Sequence, residues 1–203
     1  MLQKQQKEWS FVIIKPDGIQ RALIGEILKR YERVGLKLIG LKITIPSSKK
    51  AKEHYMVGGE EWLENVGKKA SASYERKGEK SPYRTYRENG LAILEANTKY
   101  LSSGPVVVMV WEGNQAIELV RKITGGTEPL TSDVGTIRGD FTLDSYRLAD
   151  ADKRSVRNLI HASGDVEEAK KEIKIWFNEN ELINYRLISE QILYDVNLDG
   201  ILE

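Results

Sequence analysis

The sequence predicts an α+β two-layer domain, a four-stranded antiparallel sheet with helices on one of its faces. Three observations carry that expectation. Short apolar runs closed by Gly, Pro or Ser recur along the chain. Between them lie stretches whose apolar residues repeat every three or four positions, the period of a helix with one buried side. And at 203 residues the chain can bury a sizeable core as a single domain spanning 1–203.

Residues 11–14 are apolar throughout and fit a buried strand, which Pro16-Asp17-Gly18 stops. Leu23, Ile24, Ile27, Leu28, Tyr31 and Val34 then recur at helical spacing over 19–34, and Gly35 ends that helix. Alternating apolar positions mark a second strand over 36–45. Pro46 closes it, and Ser47 or Ser48 can cap a helix running through Tyr55. Residues 58–90 form an inserted excursion that is polar and basic and broken by Gly and Pro around 74–87. With little apolar material to bury, it reads as exposed and at most partly helical. A clear buried strand over 106–111 and a helix over 115–123 follow, and Gly125-Gly126 terminates the helix. Residues 127–141 read as a long ordered loop, a class that is usually functional in compact domains. A long polar connection covers 142–157. The last strand is expected at 159–162, then an amphipathic helix to about 177 and a mixed tail over 182–203. The alternation β-α-β-(α)-β-α-β is that of a ferredoxin-like sheet.

Composition narrows the function. Charged residues make up 30% of the chain and nearly cancel, leaving a formal net charge of +1. No general nucleic-acid surface is implied, so affinity for phosphate must be local. There is no cysteine, which excludes disulfides and thiolate metal sites. Residues 1–8 lack the apolar stretch of a secretory signal, and no apolar run approaches the ~18 residues that span a bilayer. The expectation is a cytoplasmic protein with no membrane and no specific nucleic-acid partner. No internal repeat, zinc spacing or Walker-type phosphate loop is present.

Only two histidines occur. His161 sits where a short apolar segment meets a small-residue turn, a junction that can present an imidazole in a cleft. Free imidazole titrates near ~6.5, so much of it is neutral and nucleophilic at cellular pH. A lone His before a helix is more often structural. The neighbouring blocks change that. Lys15-Pro16-Asp17-Gly18, Gly104-Pro105-Val106-Val107, Trp111-Glu112-Gly113, Gly135-Thr136-Ile137-Arg138-Gly139-Asp140-Phe141 and Asn158-Leu159-Ile160-His161-Ala162-Ser163, in this order, resemble the nucleoside diphosphate kinase family. The resemblance runs over about 9–177.

The resemblance implies a phosphotransferase. The γ-phosphate of ATP or another nucleoside triphosphate passes to His161 and then to a different nucleoside diphosphate, which is ping-pong catalysis. Glu172 matches the residue that orients the ring, with Ser163 assisting. Arg121, Thr127 and Arg138 match the groups that hold the β and γ phosphates, and Lys15 one that reaches the sugar hydroxyl and γ phosphate. Asn158 matches a ribose ligand and Tyr55 a tyrosine near the phosphates. Singly, each of these would read as a surface charge or a packing residue; Glu172, beside Lys170, Lys171 and Lys174, would read as a solvated carboxylate. His54 is read as structural. Because residues three apart on a regular strand face opposite sides, Asn158 and His161 can share a cleft only if the chain bends between them. The base would stack near Ile93 or Leu94, unless Tyr83 or Tyr86 supplies a ring. Magnesium is expected to be held by the nucleotide and water, as no carboxylate cage is visible. A homo-oligomer, tetramer or hexamer, is implied, with the excursion acting as lid, interface element or passive loop.

Departures from the family pattern are the excursion, the long connection at 142–157, and Gly164 where an Asp commonly follows the serine. Asp165 stands ready to cap the helix instead. A catalytically silent nucleotide-binding or scaffold protein on the same fold is the alternative, since fold alone does not fix function. The basic excursion raises a nucleic-acid role, which the interspersed Glu75, Glu79 and Glu88 weaken.

Overall fold

The computed structural model describes residues 7–76, 78 and 80–194. The expectations for residues 1–6, for Lys77 and Glu79, and for the tail beyond 194 lie outside the described residues. In chain order the elements are β1 (Glu8–Ile14), α1 (Pro16–Gln20), α2 (Ile24–Glu32), β2 (Lys37–Thr44), α3 (Ser48–Tyr55), α4 (Gly59–Arg76), α5 (Tyr86–Leu101), β3 (Val106–Gly113), α6 (Ala116–Thr124), α7 (Ile137–Phe141), α8 (Tyr146–Ala151), β4 (Ile160–Ala162), α9 (Val166–Trp176) and α10 (Glu190–Leu193). The strands form one antiparallel sheet in the order β2-β3-β1-β4. β1 and β3 lie at its centre and pair Ile14 with Val107 and Val12 with Met109. β4 is a three-residue edge that sets His161 opposite Ile13.

The ferredoxin-like sheet matches expectation, but helices on one face do not. Residues 11–14 and 106–111 are buried at every position, so neither face of the central pair can be left to water. Val12, Ile14, Val107, Met109 and Trp111 meet Ile27 and Tyr31 of α2, Val120 of α6 and Ile137 of α7. On the opposite face Phe11, Ile13, Val106, Val108 and Val110 meet Ala51 of α3, Leu101 of α5, and Ile173 and Trp176 of α9. The sheet is therefore sandwiched between two helical layers.

Local chemistry sets the element ends. Pro16 opens α1 at a position where its missing N–H costs nothing. Ala22, at φ +56°, breaks the single helix expected over 19–34 into α1 and α2. Ser47, not Ser48, caps α3 by accepting from the Lys50 N–H at 3.2 Å. Asp165 caps α9, accepting from the Glu168 N–H at 2.8 Å.

The excursion is corrected as well: it is a helical hairpin of α4 and α5. Beside buried Leu63 and Leu94, its interior is made of small and polar residues, which is why composition alone read as exposed. A Cβ on Gly67 would stand 1.8 Å from the Tyr86 carbonyl oxygen, and one on Gly90 would stand 2.2 Å from that of Leu63. Buried Asn89 donates to the Gly67 carbonyl at 3.3 Å and to Ser71 Oγ at 3.1 Å. The connection after α7 is also structured. Ser145 caps α8, and Asp144 accepts from both terminal nitrogens of Arg154 at 2.6 and 3.0 Å.

Candidate active site

A turn at the β4 edge makes the site. Leu159 has φ +69°, and the Ile160 N–H donates to the Asn158 carbonyl at 2.7 Å across it. This is a γ-turn with its central residue in the sparsely populated left-handed half, a conformation that persists only where the surroundings enforce it. Two contacts do so. The Lys15 N–H donates to the Leu159 carbonyl at 2.9 Å, and Leu159 itself is fully buried. The bend turns Asn158 toward the end of β1 while His161 stays in the ladder. Gly18 lets α1 approach, since a Cβ there would lie 3.2 Å from Leu159 Cδ1.

His161 keeps 19% of its side chain exposed and contacts Glu172 of α9, Nε2 to Oε1, at 2.7 Å. Glu172 is 1% exposed, and Ser163 donates to its other oxygen at 2.5 Å. Burial pushes the Glu172 carboxyl up to about 7, with the nearby His54 and the Ser163 hydrogen bond opposing. Burial likewise holds the His161 imidazole well below its ordinary 6.5; Glu168 opposes, while Lys15, Arg138 and Arg121 reinforce the shift. Both partners are driven toward their uncharged forms, so the contact is one shared proton rather than a fixed ion pair. When Glu172 is ionised it can only accept, so Nε2 carries the hydrogen and Nδ1 the lone pair.

Cations converge from separate segments. Lys15 is 5% exposed and donates to Asn158 Oδ1 at 2.7 Å. Its ammonium is pushed down to about 7 by burial first and then by Arg138, with Asp17 opposing. Arg138 is 8% exposed and spends its guanidinium on carbonyls. Nε donates to Asn158 O at 3.2 Å, Nη1 to Gly125 O and Gly126 O at 3.0 and 2.9 Å, and Nη2 to Ile160 O at 2.6 Å. It thus braces the γ-turn, and of its five N–H groups one is left to offer elsewhere. Arg121 is exposed near the end of α6, with Nη1 3.8 Å from where a Cβ on Gly164 would stand. Exposed Thr127 gives its carbonyl to Asn158 Nδ2 at 3.0 Å.

The structure therefore joins Lys15 and Arg138 to Asn158, and His161 and Ser163 to Glu172, by direct bonds; the two groups meet where Arg138 bonds the Ile160 carbonyl, with Arg121 and Thr127 at the rim. Tyr55 ends α3 with a buried hydroxyl that has no hydrogen-bond partner, and burial pushes that phenol up. Ile93 is a half-buried residue midway along α5, outside these contacts. Two neighbours escaped the sequence. His54, read as structural, is buried with its ring 4.5 Å from that of His161, edge to face. Burial holds it down to about 3, so it is a neutral wall. Trp62 is half-buried with its ring 6.2 Å from Tyr55. Its signal was two aromatics seven residues apart across Gly58-Gly59.

Among the described residues one group has metal-ligand spacing, His54, His161 and Glu172, with ligand atoms within 4.8 Å. Its donor set of two nitrogens and one oxygen suits zinc better than magnesium. No described helix is long and apolar enough to cross a membrane.

The sequence profile described as Nucleoside diphosphate kinase matches residues 8–63 and 67–182. A nucleoside diphosphate kinase of Pyrobaculum aerophilum is 41% identical over 180 residues, which cover 87% of this chain and 98% of that protein. One of Borreliella burgdorferi is 37% identical, covering 86% of this chain and 89% of its own. Among solved structures, an NDP kinase from Pyrobaculum aerophilum superposes with a TM-score of 0.85 at 40% identity, covering 88% of this chain and all of that one. A transition-state mimic of the Borrelia burgdorferi kinase, with bound vanadate and ADP, gives 0.75 at 34% identity, covering 93% and 97%.

Proposed function

The chain belongs to the nucleoside diphosphate kinase family and acts in nucleotide phosphotransfer, and from that premise we propose how its own residues divide the work. His161 Nδ1 attacks the γ-phosphorus of a nucleoside triphosphate; the bond to the β–γ bridging oxygen breaks, and the diphosphate leaves with that electron pair. In the second half-reaction an incoming diphosphate takes the phosphoryl group from His161 by the reverse displacement. Splitting the transfer removes any need to hold two nucleotides at once.

Glu172 carries the proton-holding role. Accepting from Nε2 fixes the tautomer and turns Nδ1 toward the phosphate, and Ser163 fixes Glu172 in turn. Lys15, Arg121, Thr127 and the remaining Arg138 N–H neutralise the β and γ oxygens, which is where this chemistry needs charge. Tyr55 offers its unpartnered hydroxyl to the same group; a buried orphan donor is otherwise an unrelieved cost. Lys15 and Asn158 bind the ribose hydroxyls. For the base we favour Trp62 as the stacking platform, with Ile93 as the alternative wall. A flat platform accepts every base and reads no edge.

The family needs a divalent cation, and we assign magnesium, held by the phosphates and water, which supplies charge neutralisation when bound. One domain over the whole chain, a cytoplasmic location and a homo-oligomer, tetramer or hexamer, complete the proposal. Exposed apolar Leu41, Ile43 and Ile45 at the outer end of β2 support the last of these. The single observation that carries the reading is the partly exposed imidazole, hydrogen-bonded through one nitrogen to Glu172 amid converging cations.

Incubation with γ-labelled ATP tests it. The expected result is an acid-labile, alkali-stable label that chases onto added diphosphate and is absent from His161→Ala. A wild type that takes no label, or a variant that labels equally, overturns it.

A further inference from the structure

We infer that Tyr100 is a positioning residue for Lys15, an inference that rests on the reading of Lys15 as a ligand of the nucleotide. Tyr100 lies in the last turn of α5, far in sequence from both halves of the site. Its ring stands 5.0 Å from Lys15 Nζ. Its hydroxyl donates to Asp17 Oδ1, and the Leu159 backbone bonds to the Tyr100 hydroxyl itself. One side chain thus touches the end of β1, the first turn of α1 and the γ-turn before His161.

The problem it answers is electrostatic. Lys15 is nearly fully buried, and the groups facing it are Arg138 from α7, His161 and Asn158 from the β4 segment, His54 from α3, Asp17 from α1 and Tyr100 from α5. Only Asp17 carries a compensating charge. A direct Lys15–Asp17 pair would keep the ammonium charged but would also neutralise it before any phosphate arrived. Tyr100 avoids that choice. Its hydroxyl occupies Asp17, while its ring face stabilises the ammonium through its quadrupole and adds no negative charge to the pocket. Lys15 is left to donate to Asn158 Oδ1 and, by the reading above, to the nucleotide.

Two variants of the full chain separate the roles. Tyr100→Phe keeps the ring and frees Asp17; Tyr100→Leu removes both, so their difference isolates the ring. Lys15 ionisation is read by NMR titration of its side-chain carbon next to the ammonium. Lys15 is expected to titrate about one pH unit lower in the Leu variant than in the Phe variant, and the alkaline limb of kcat/KM is expected to move by the same amount. Equal Lys15 titrations in the two variants overturn the inference, even where both have lost activity. Lys15→Ala tests the underlying reading separately. Undiminished kcat/KM there removes Lys15 as a ligand, while the titration difference still decides what Tyr100 does to it.

Discussion

The shared proton between His161 and Glu172 makes catalysis depend on which of the two carries it. Glu172 is a carboxyl raised by burial to about 7, well above an exposed glutamate. Above that pH it is ionised, accepts from Nε2 and leaves Nδ1 as the nucleophile. Below it, a protonated Glu172 donates to Nε2, the ring hydrogen moves to Nδ1, and attack is lost. The sign also holds for stability. A carboxyl whose folded value is raised favours the fold at pH below its unfolded value, and that contribution is lost as pH rises through about 7. Activity and this part of stability therefore run in opposite directions with pH. In Glu172→Gln no proton can be taken up. The expected outcome is a kcat lower by about 10- to 100-fold, with the acid limb near neutrality abolished. A pH–rate profile of labelling checks it, and a variant that keeps the wild-type acid limb removes Glu172 from this role.

At the scale of elements, the α4–α5 hairpin shows why part of the fold was hidden in the sequence. Strands β1 and β3 were legible because unbroken apolar runs have one physical outlet, a strand buried on both faces. The hairpin inverts that rule. Its helices meet backbone to backbone at Gly67 and Gly90, and buried Asn89 bridges them. The polar, basic stretch at 74–87, broken by Gly78 and Pro82, offered little apolar material to bury, so pattern alone pointed to an exposed and at most partly helical segment. Gly67→Ala would drive a methyl group into the Tyr86 carbonyl, and the facing atom is backbone, which cannot swing aside. The expected cost is about 1–3 kcal/mol of unfolding free energy, the range for overpacking a tight contact. Because α4 begins just after Tyr55 and carries Trp62, KM for nucleotide should rise more than kcat falls. Urea unfolding and steady-state kinetics check both; a neutral substitution would mean that the helices separate without consequence. The bend at Leu159 was legible from the opposite direction, by asking what geometry Asn158 and His161 jointly require. The bracing of that bend by Arg138 was not legible, since sequence gives an arginine's charge but not how many of its N–H groups the backbone consumes.

Across the whole molecule, β1 separates two assemblies of charge. Lys15 leaves one end of the strand into the site. Lys7 precedes the other end, where its ammonium donates to Glu190 of α10 at 2.9 Å. At ~3.3 Å per residue the two lysines stand about 25 Å apart, beyond the screening distance of salt at cellular strength. Around Glu190 the network continues through buried Lys37, 3.3 Å from Glu190 and 2.7 Å from Glu112, and Lys37 also donates to the Tyr185 carbonyl at 2.9 Å. The segment before α10 is fastened along β2 by the Ile183 N–H, which donates to the Ile39 carbonyl at 2.7 Å, and by the Tyr185 hydroxyl, which donates to that of Leu38 at 2.8 Å. Gly35 makes room for it, as a Cβ there would strike Leu193. The strap thus covers the inner half of an edge strand that would otherwise offer unpaired backbone to any neighbour. Glu190 is held down to about 2, chiefly by its bond from Lys7 and further by Lys37, with burial opposing. A depressed carboxylate stabilises the fold above its unfolded value, and that contribution is lost as pH falls toward about 2. Glu190→Gln removes the charge without removing the shape. Its Tm at pH 7 is expected to fall by about 3–6 °C, the scale of one lost charged hydrogen bond in a chain of this size. Its Tm should also fall less steeply than that of the wild type on acidification, while kcat stays within twofold. An unchanged kcat beside a lowered Tm separates strap from site; a kcat that falls while Tm holds would mean that the strap acts on the chemistry through the sheet.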